Sequence, residues 1–471
     1  MQISSVAWVV ERKDLLTTLF YLLAFGAWLR FEDRSTLPRY GLALLCFTLA
    51  MLSKSMSVTW PVAVLIYGWY RTGRVGWRLV VKLLPFFSIG LLLAFWGSIF
   101  VPSPERMKLE LLQKVILAGK NQVFYAGKLL WPVEHFPLYP RWQLNPTLWT
   151  EYVCPVSVVL VFLVLWMLRH RTGRGLFAAM AFYAVTLSPI LGLVVWSLLT
   201  KTVAQDHYQY VSSVGPFLLF AYAAERLCSR RWVYALLLFC VLTPCVVFSQ
   251  RHVRLYQNAE TLFRASYEKY PTIDYAAVYY AVGLSENGKH QEALVVLDKI
   301  LVLYPQVAEF WATKGAEHLW LGQTAEGIQA YQRAYALNPI EVGSLSEIAT
   351  ALLYDDAPNL DAMIPQLEEA YQRASQDIRL AGCLATALSL NPRRVAEGQK
   401  MFEAILRRVP PAGVPPVPLY YYGKLLLSQS EAKRALSYMR MAQQRARRPV
   451  VSWQESIAQA QKQAMPIGNW K

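Results

Sequence analysis

The stretch AEFWATKGAEHLWLGQTAEGIQAYQRAYALNP, from Ala308 to Pro339, decides the fold of the C-terminal half of the chain. Trp311, Gly315, His318, Gly322, Gly327, Tyr331, Ala334 and Pro339 stand where two antiparallel helices need them. Small residues let the helices approach, aromatic residues fill the space beside them, and proline closes the second helix. Pro271, Pro305 and Pro339 are spaced 34 residues apart, so the unit repeats. Gly288, Ala293, Leu297 and Pro305 hold the matching places one unit earlier, and Ala259, Phe263 and Pro271 mark the second helix of the unit before that. The pattern weakens around Asp355 to Pro365. It returns as Gly398, Phe402, Ile405 and Pro410, then as Gly423, Ala435, Met439 and Ala442, giving about five units with two of them degenerate. Pro410, Pro411, Pro415, Pro416 and Pro418 form a stiff connector before the last unit, and the stretch after Arg445 reads as a polar cap or a frayed tail.

This period is that of tetratricopeptide repeats, and it places an α-solenoid over residues 251–471. Residues 1–250 are of another kind. The 471-residue chain is 55% hydrophobic and 13% aromatic with only 17% charged residues, and its charges crowd between long apolar runs. A soluble domain does not have this composition. About eight apolar stretches approach bilayer-spanning length, at 15–30, 40–53, 57–70, 79–100, 152–168, 176–196, 209–226 and 233–250. The fold expected is all-α: a polytopic transmembrane bundle followed by the repeat solenoid. A net charge of +16 raises nucleic acid as a partner, but much of it lies between spans, as in Arg71, Arg74, Arg78 and Lys82, where membrane topology accounts for it. Nucleic acid is therefore excluded. Six cysteines occur, five of them in or beside apolar spans and only Cys383 in the soluble half, so no intradomain disulfide staples the repeats.

Charge asymmetry orients the spans. The connections at Arg30–Arg39, Arg71–Arg78, Arg169–Arg174 and Arg226–Arg231 are short and Arg-rich, which makes them cytoplasmic. Alternation then places residues 101–150 and everything after Arg251 outside, with the repeats periplasmic on a bacterial inner membrane. It also places residues 1–14 outside with nothing before them to carry them across, so an odd number of further spans is expected to precede Met1. Within the long outer loop, Lys108 to Trp131 reads as an amphipathic helix lying in the outer interface.

Several polar residues fall on the outer face: Arg12, Lys13, Lys54, Arg141, Lys201, Asp206 and His207. Lys54 interrupts two apolar runs, a costly position unless the cation is paired or lines a cavity. Arg12 and Lys13 serve equally as an interfacial flank, and Glu11 can pair with either. Asp206 beside His207 lacks a third ligand, so no metal is expected. Gly283 to Lys289 has phosphate-loop spacing, but His290 stands where Ser or Thr belongs and the stretch follows no strand, so it is a decoy.

Three stretches carry a family resemblance: Ser5-Val-Ala-Trp-Val-Val-Glu-Arg-Lys13, Leu52-Ser-Lys-Ser-Met-Ser-Val-Thr-Trp-Pro61 and Ala204-Gln-Asp-His-Tyr-Gln-Tyr210. Together with Phe124 to Pro132 and Tyr139-Pro-Arg-Trp142, they resemble the transmembrane and tetratricopeptide-repeat glycosyltransferases over nearly the whole chain. The resemblance implies a GT-C-like membrane enzyme that moves a sugar, mannose in the animal members, from a polyprenyl-phosphate carrier to a protein hydroxyl. The reaction is metal-independent and needs no cofactor beyond the lipid-linked donor, and the repeats hold the acceptor or another protein partner. It implies cations for the carrier phosphate, for which Arg12, Lys13, Lys54, Arg141 and His207 are the candidates. It also implies a carboxylate base, for which Asp206 is the candidate here. The family carries its acidic residues in a first outer loop, which this chain lacks along with about three spans. The chain as it stands is therefore expected to transfer no sugar.

Two other readings stay open. An O-antigen or O-oligosaccharyl ligase also joins many spans to repeats, and Arg106, His135 and Arg141 in the long outer loop are its expected marks. A membrane-tethered repeat scaffold without activity is satisfied by the repeats alone.

Overall fold

The computed structural model describes residues 3–8, 11–100, 109–131, 135–193, 202–228, 230–354, 360–446 and 450–464. Among them there is no strand, so the protein is all-α as expected. The chain forms two compact units, Met1–Gly283 and Leu284–Lys471.

The first unit runs α1 (Ile3–Ala7), α2 (Arg12–Asp33), α3 (Leu37–Ser53), α4 (Trp60–Thr72), α5 (Trp77–Phe100), α6 (Leu111–Leu130), α7 (Val153–Thr172), α8 (Gly175–Leu187), α9 (Val214–Leu227), α10 (Arg231–Val253), α11 (Ala259–Lys269) and most of α12 (Asp274–Glu286). Four helical stretches are long and apolar enough to cross a membrane: Arg12–Asp33, Trp77–Trp96, Trp149–Thr172 and Arg231–Gln257. The last two bury none of their most apolar window against protein, leaving side chains such as Leu160 and Phe239 half or more exposed. Such a surface needs an apolar surrounding.

Among the described residues four helical stretches, not eight, reach spanning length. The stretches expected at 40–53, 57–70, 176–196 and 209–226 form helices of 17, 13, 13 and 14 residues, and residues 194–200 lie outside the described residues. The chain breaks at Lys54, where a 3-10 turn over Ser55–Thr59 separates α3 from α4. At about 1.5 Å per residue, the 13 residues of α4 cover only about 20 Å of a hydrocarbon core near 30 Å thick.

Polar residues at the two ends of α2 fix the orientation of the first helices. At its C-terminal end Glu32 accepts from Arg71 at 3.2 Å, Arg39 donates to the Arg30 carbonyl at 2.8 Å, and Arg174 reaches the Tyr70 carbonyl at 3.5 Å. Three Arg-rich turns thus gather at one end. At the other end of α2 lie Glu11 and Asp14. Between the ends, Trp28, Phe47, Trp60 and Phe86 form an aromatic core, with Trp60 stacked on Phe86 at 4.9 Å.

The amphipathic helix of the long loop is α6, opened by a capping box between Glu110 and Gln113. Part of its polar arc turns inward. Asn121, fully buried, donates to the carbonyls of Leu191 and Val203 at 3.2 Å each, and Lys120 pairs with Glu151 at 2.5 Å. Leu112, Val115, Val123 and Leu130 form the exposed side. The carbonyls of Leu191 and Val203, which lie outside regular helix, need donors, and Asn121 supplies them.

The second unit holds α13 (His290–Leu303), α14 (Ala308–Trp320), α15 (Thr324–Leu337), α16 (Gly343–Tyr354), α17 (Ile364–Arg373), α18 (Ile378–Leu390), α19 (Val395–Arg408), α20 (Pro416–Ser428), α21 (Ala432–Arg445) and α22 (Val451–Ala464). Helices α14 and α15, α18 and α19, and α20 and α21 pack as hairpins, the tetratricopeptide-like arrangement read from the spacing. Gly322 sits at φ +75° in the α14–α15 turn, a conformation that a side chain disfavours. Helix α18 is capped by Asp377, whose carboxylate accepts from Arg379 N at 2.8 Å and Leu380 N at 3.1 Å. Beyond Arg445, residues 451–464 form α22, which buries Trp453, Ile457 and Ala460.

Gly398 marks the closest approach in this unit. A Cβ there would meet Ser389 N at 2.5 Å and Ala385 O at 2.7 Å, both backbone atoms that cannot swing aside. Gly398→Val is expected to force α18 and α19 apart and cost about 1–3 kcal/mol. Chemical denaturation checks it, and a loss no greater than that of an exposed-surface substitution contradicts the hairpin packing.

Candidate functional site

The start of α2 follows a short approach through Trp8, so Glu11 and Asp14 lie one turn apart where the apolar helix begins. Both are buried, 6% and 4% exposed, although nothing in their flanks suggests it. The partner that makes this tolerable is Lys54, at the break between α3 and α4. Its ammonium bonds Asp14 Oδ1 and lies 3.9 Å from Glu11 Oε2. Lys13, on the exposed side, lies 3.6 Å from Glu11 Oε1. A buried carboxylate with a bonded cation is stable, and one left alone is not.

The loop before α9 closes the site. His207 Nε2 lies 3.5 Å from Glu11 Oε2, Trp8 meets the imidazole edge-on at 6.4 Å, and Lys54 Nζ stands 5.0 Å from the Tyr208 ring centroid. Asp14, Thr17, Lys54, Ser57 and His207 line one cavity. The free space among them admits about one water molecule. Burial pushes the Lys54 ammonium below the ordinary lysine range while Asp14 and Glu11 oppose it. Burial, then the charges of Lys54 and Lys13, hold His207 well below the usual histidine range, so the imidazole is neutral at pH 7.

The residues expected from sequence divide among several places. Lys54 and His207 share this cavity, and Lys13 reaches its rim through Glu11. Arg12 is exposed on the first turn of α2. Arg141 is elsewhere in the unit, bonded to Asp274 beside a small core of Leu138, Ile273 and Phe263. Asp206 faces away from its neighbour His207: it accepts from Tyr139 OH at 3.0 Å and Phe136 N at 3.1 Å and lies 3.1 Å from His135 Nδ1. Those bonds hold the loop and leave Asp206 no role in the cavity. Lys201 and Arg106 lie outside the described residues.

Asp14 is the residue that sequence reasoning missed. It looks like the polar flank of a span, and only the arrival of Lys54, 40 residues on, marks it as part of a site.

In the second unit the polar group closest to a catalytic arrangement is Ser285, His290 and Glu317. Ser285 Oγ at 3.4 Å and Glu317 Oε2 at 2.8 Å both face His290 Nδ1, so the ring cannot pass a proton from one to the other. The decoy phosphate loop is likewise a turn between two helices, with Gly288 at φ +74°.

No protein-family model and no curated protein matches the chain. Among solved structures, it is similar to YrrB, a tetratricopeptide-repeat protein with an unusual peptide-binding site: 18% identity over 43% of this chain and 98% of that one, TM-score 0.32. A thermophilic tetratricopeptide-repeat protein of Thermus thermophilus matches at 18% identity over 40% and 99%, TM-score 0.31. The Cut9–Hcn1 hetero-tetramer of the APC/C matches at 13% over 93% and 76%, TM-score 0.36. Likenesses this low carry no argument, and the repeat architecture rests on the hairpins described above.

Proposed function

We propose that this protein is a membrane-anchored repeat platform: the apolar unit holds it in a bilayer, and the helical-hairpin unit binds a segment of a protein partner outside the cytoplasm. One observation carries the reading. Among the described residues, every helix long and apolar enough to cross a membrane lies in the first unit, while the apolar helix of the second, Ile378–Leu390, is short and buried in its own core. Stacked hairpins of this kind offer extended concave surfaces to partners.

Sugar transfer from a polyprenyl-phosphate donor to a protein hydroxyl, the activity implied by the sequence resemblance, is a second reading. Glu11 and Asp14 favour it, because a carboxylate base beside a neutral imidazole suits deprotonation of an acceptor hydroxyl. Two features of the geometry weigh against it. Lys54 and Arg141 are each bonded to a carboxylate, so a carrier phosphate would have to displace Asp14 or Asp274. The cavity is also about one water wide, too narrow for a hexose. The ligase reading meets the same obstacle at Arg141, and His135 is held against Asp206.

Purified full-length protein, given a labelled polyprenyl-phosphate sugar and acceptor peptides, is expected to transfer no more label than its Asp14→Asn variant. A photo-crosslinker placed at exposed Trp320 is expected to give a discrete adduct in membranes that Gly398→Val weakens. Robust transfer abolished by Asp14→Asn would overturn the platform reading in favour of the enzyme.

A further inference from the structure

The cavity at the start of α2 holds more oxygen donors than its lysines use. Lys54 bonds Asp14 Oδ1 and lies 3.9 Å from Glu11 Oε2, and Lys13 lies 3.6 Å from Glu11 Oε1, so the two lysines formally balance the two acids. Glu11 Oε2 and Asp14 Oδ2 remain buried without a hydrogen bond. Two hydroxyls that belong to neither acid repeat the pattern. Ser57 and Thr17, 1% and 2% exposed, line the same cavity, and neither Oγ has a hydrogen-bond partner. An unpaired buried polar atom costs free energy, and three from residues lining one small space, with Glu11 Oε2 3.5 Å from His207 Nε2 beside it, indicate a missing occupant.

The ligand atoms of Glu11, Asp14 and His207 lie within 4.8 Å of one another. Around one ion, ligand atoms about 2.1 Å from the metal are mutually about 3.4 Å apart, so rotamer shifts of about an ångström would close the set.

We propose that Glu11, Asp14 and His207 bind a first-row divalent cation such as Mn²⁺ or Zn²⁺, with Ser57 and Thr17 supplying or positioning further oxygen donors. Two carboxylates with one imidazole suit these ions better than an all-oxygen set suited to Ca²⁺. Lys54 is a positioning residue: it keeps Asp14 Oδ1 and leaves Oδ2 for the ion. The site ties the start of α2 to the Ser55–Thr59 turn and the loop before α9. It goes beyond the platform reading, which stands with or without an ion.

The test uses the full chain in detergent, stripped with chelator and titrated with Mn²⁺ and Zn²⁺ by calorimetry, with melting followed in parallel. One ion per chain is expected beyond any bound by the Glu11→Gln/His207→Gln double variant, and each single variant is expected to weaken binding at least about tenfold. Lys54→Met adds a readout that a purely structural ion pair would not move. In chelator it should melt well below the parent, and Mn²⁺ or Zn²⁺ should restore much of the loss. Equal binding by parent and double variant, or a Lys54→Met protein equally unstable with and without the ions, overturns the site and leaves a buried water as the occupant. A change in sugar transfer does not bear on this outcome, so failure here and failure of the platform reading stay distinguishable.

Discussion

Trp60→Ala is expected to be the most damaging single substitution in the apolar unit, at about 3–5 kcal/mol. Trp60 is fully buried and stacks on Phe86 at 4.9 Å, with Phe47 at 5.6 Å and Trp28 at 6.0 Å. Its indole N–H donates to the Tyr21 carbonyl at 3.2 Å, which ties α4 to α2. Alanine leaves a cavity where α2, α3, α4 and α5 meet and removes that donor. Phe239→Ala, on an α10 side chain 66% exposed, is the control and should change stability by no more than about 0.5 kcal/mol. Thermal unfolding of both variants in detergent checks the pair, and equal losses would mean that the aromatic core does not hold these helices together.

The largest effect in the repeat unit is expected at Trp453. Its ring is stacked on Tyr420 at 4.1 Å and faces Tyr354 at 5.7 Å, both within 9° of parallel. The indole N–H makes no hydrogen bond, so the loss is one of packing, again about 3–5 kcal/mol for Trp453→Ala. Helix α22 caps the array, and repeat arrays need such caps to cover the last apolar face. Detachment should therefore expose α20 and α21 to protease. A variant that melts with the parent and resists protease equally would show that α22 is not a cap.

The hairpins were readable in advance because their determinants are local. Gly315, Gly322 and Pro339 lie within one unit, and the recurrence of proline every 34 residues carries the signal without any long-range contact. The helical character of the first 250 residues was equally plain, but span length was not. Hydropathy averages over the Lys54 break, where a 3-10 turn over Ser55–Thr59 accompanies a buried ion pair with Asp14 that no window contains. Helix α6 shows the same limit from the other side. A polar arc looks alike whether it faces headgroups or stray carbonyls, and Asn121 finds the carbonyls of Leu191 and Val203, 70 and 82 residues away. Within the candidate site, Lys54 stood out as a cation inside an apolar region, whereas Glu11 was read only as a partner for Arg12 or Lys13 and Asp14 carried no signal of its own. The placement of His207 beside Glu11, with Asp206 held by Tyr139 and Phe136, depends on which way a loop turns, and adjacent residues there face opposite ways.

The central proposal is that the apolar unit anchors the protein in a membrane with the repeats outside the cytoplasm. Fusing alkaline phosphatase, and separately a fluorescent protein that matures only in the cytoplasm, after Lys269 tests it most directly. The phosphatase fusion is expected to be active and the fluorescent fusion dark, with both in the membrane fraction. A bright fluorescent fusion with an inactive phosphatase partner would contradict it.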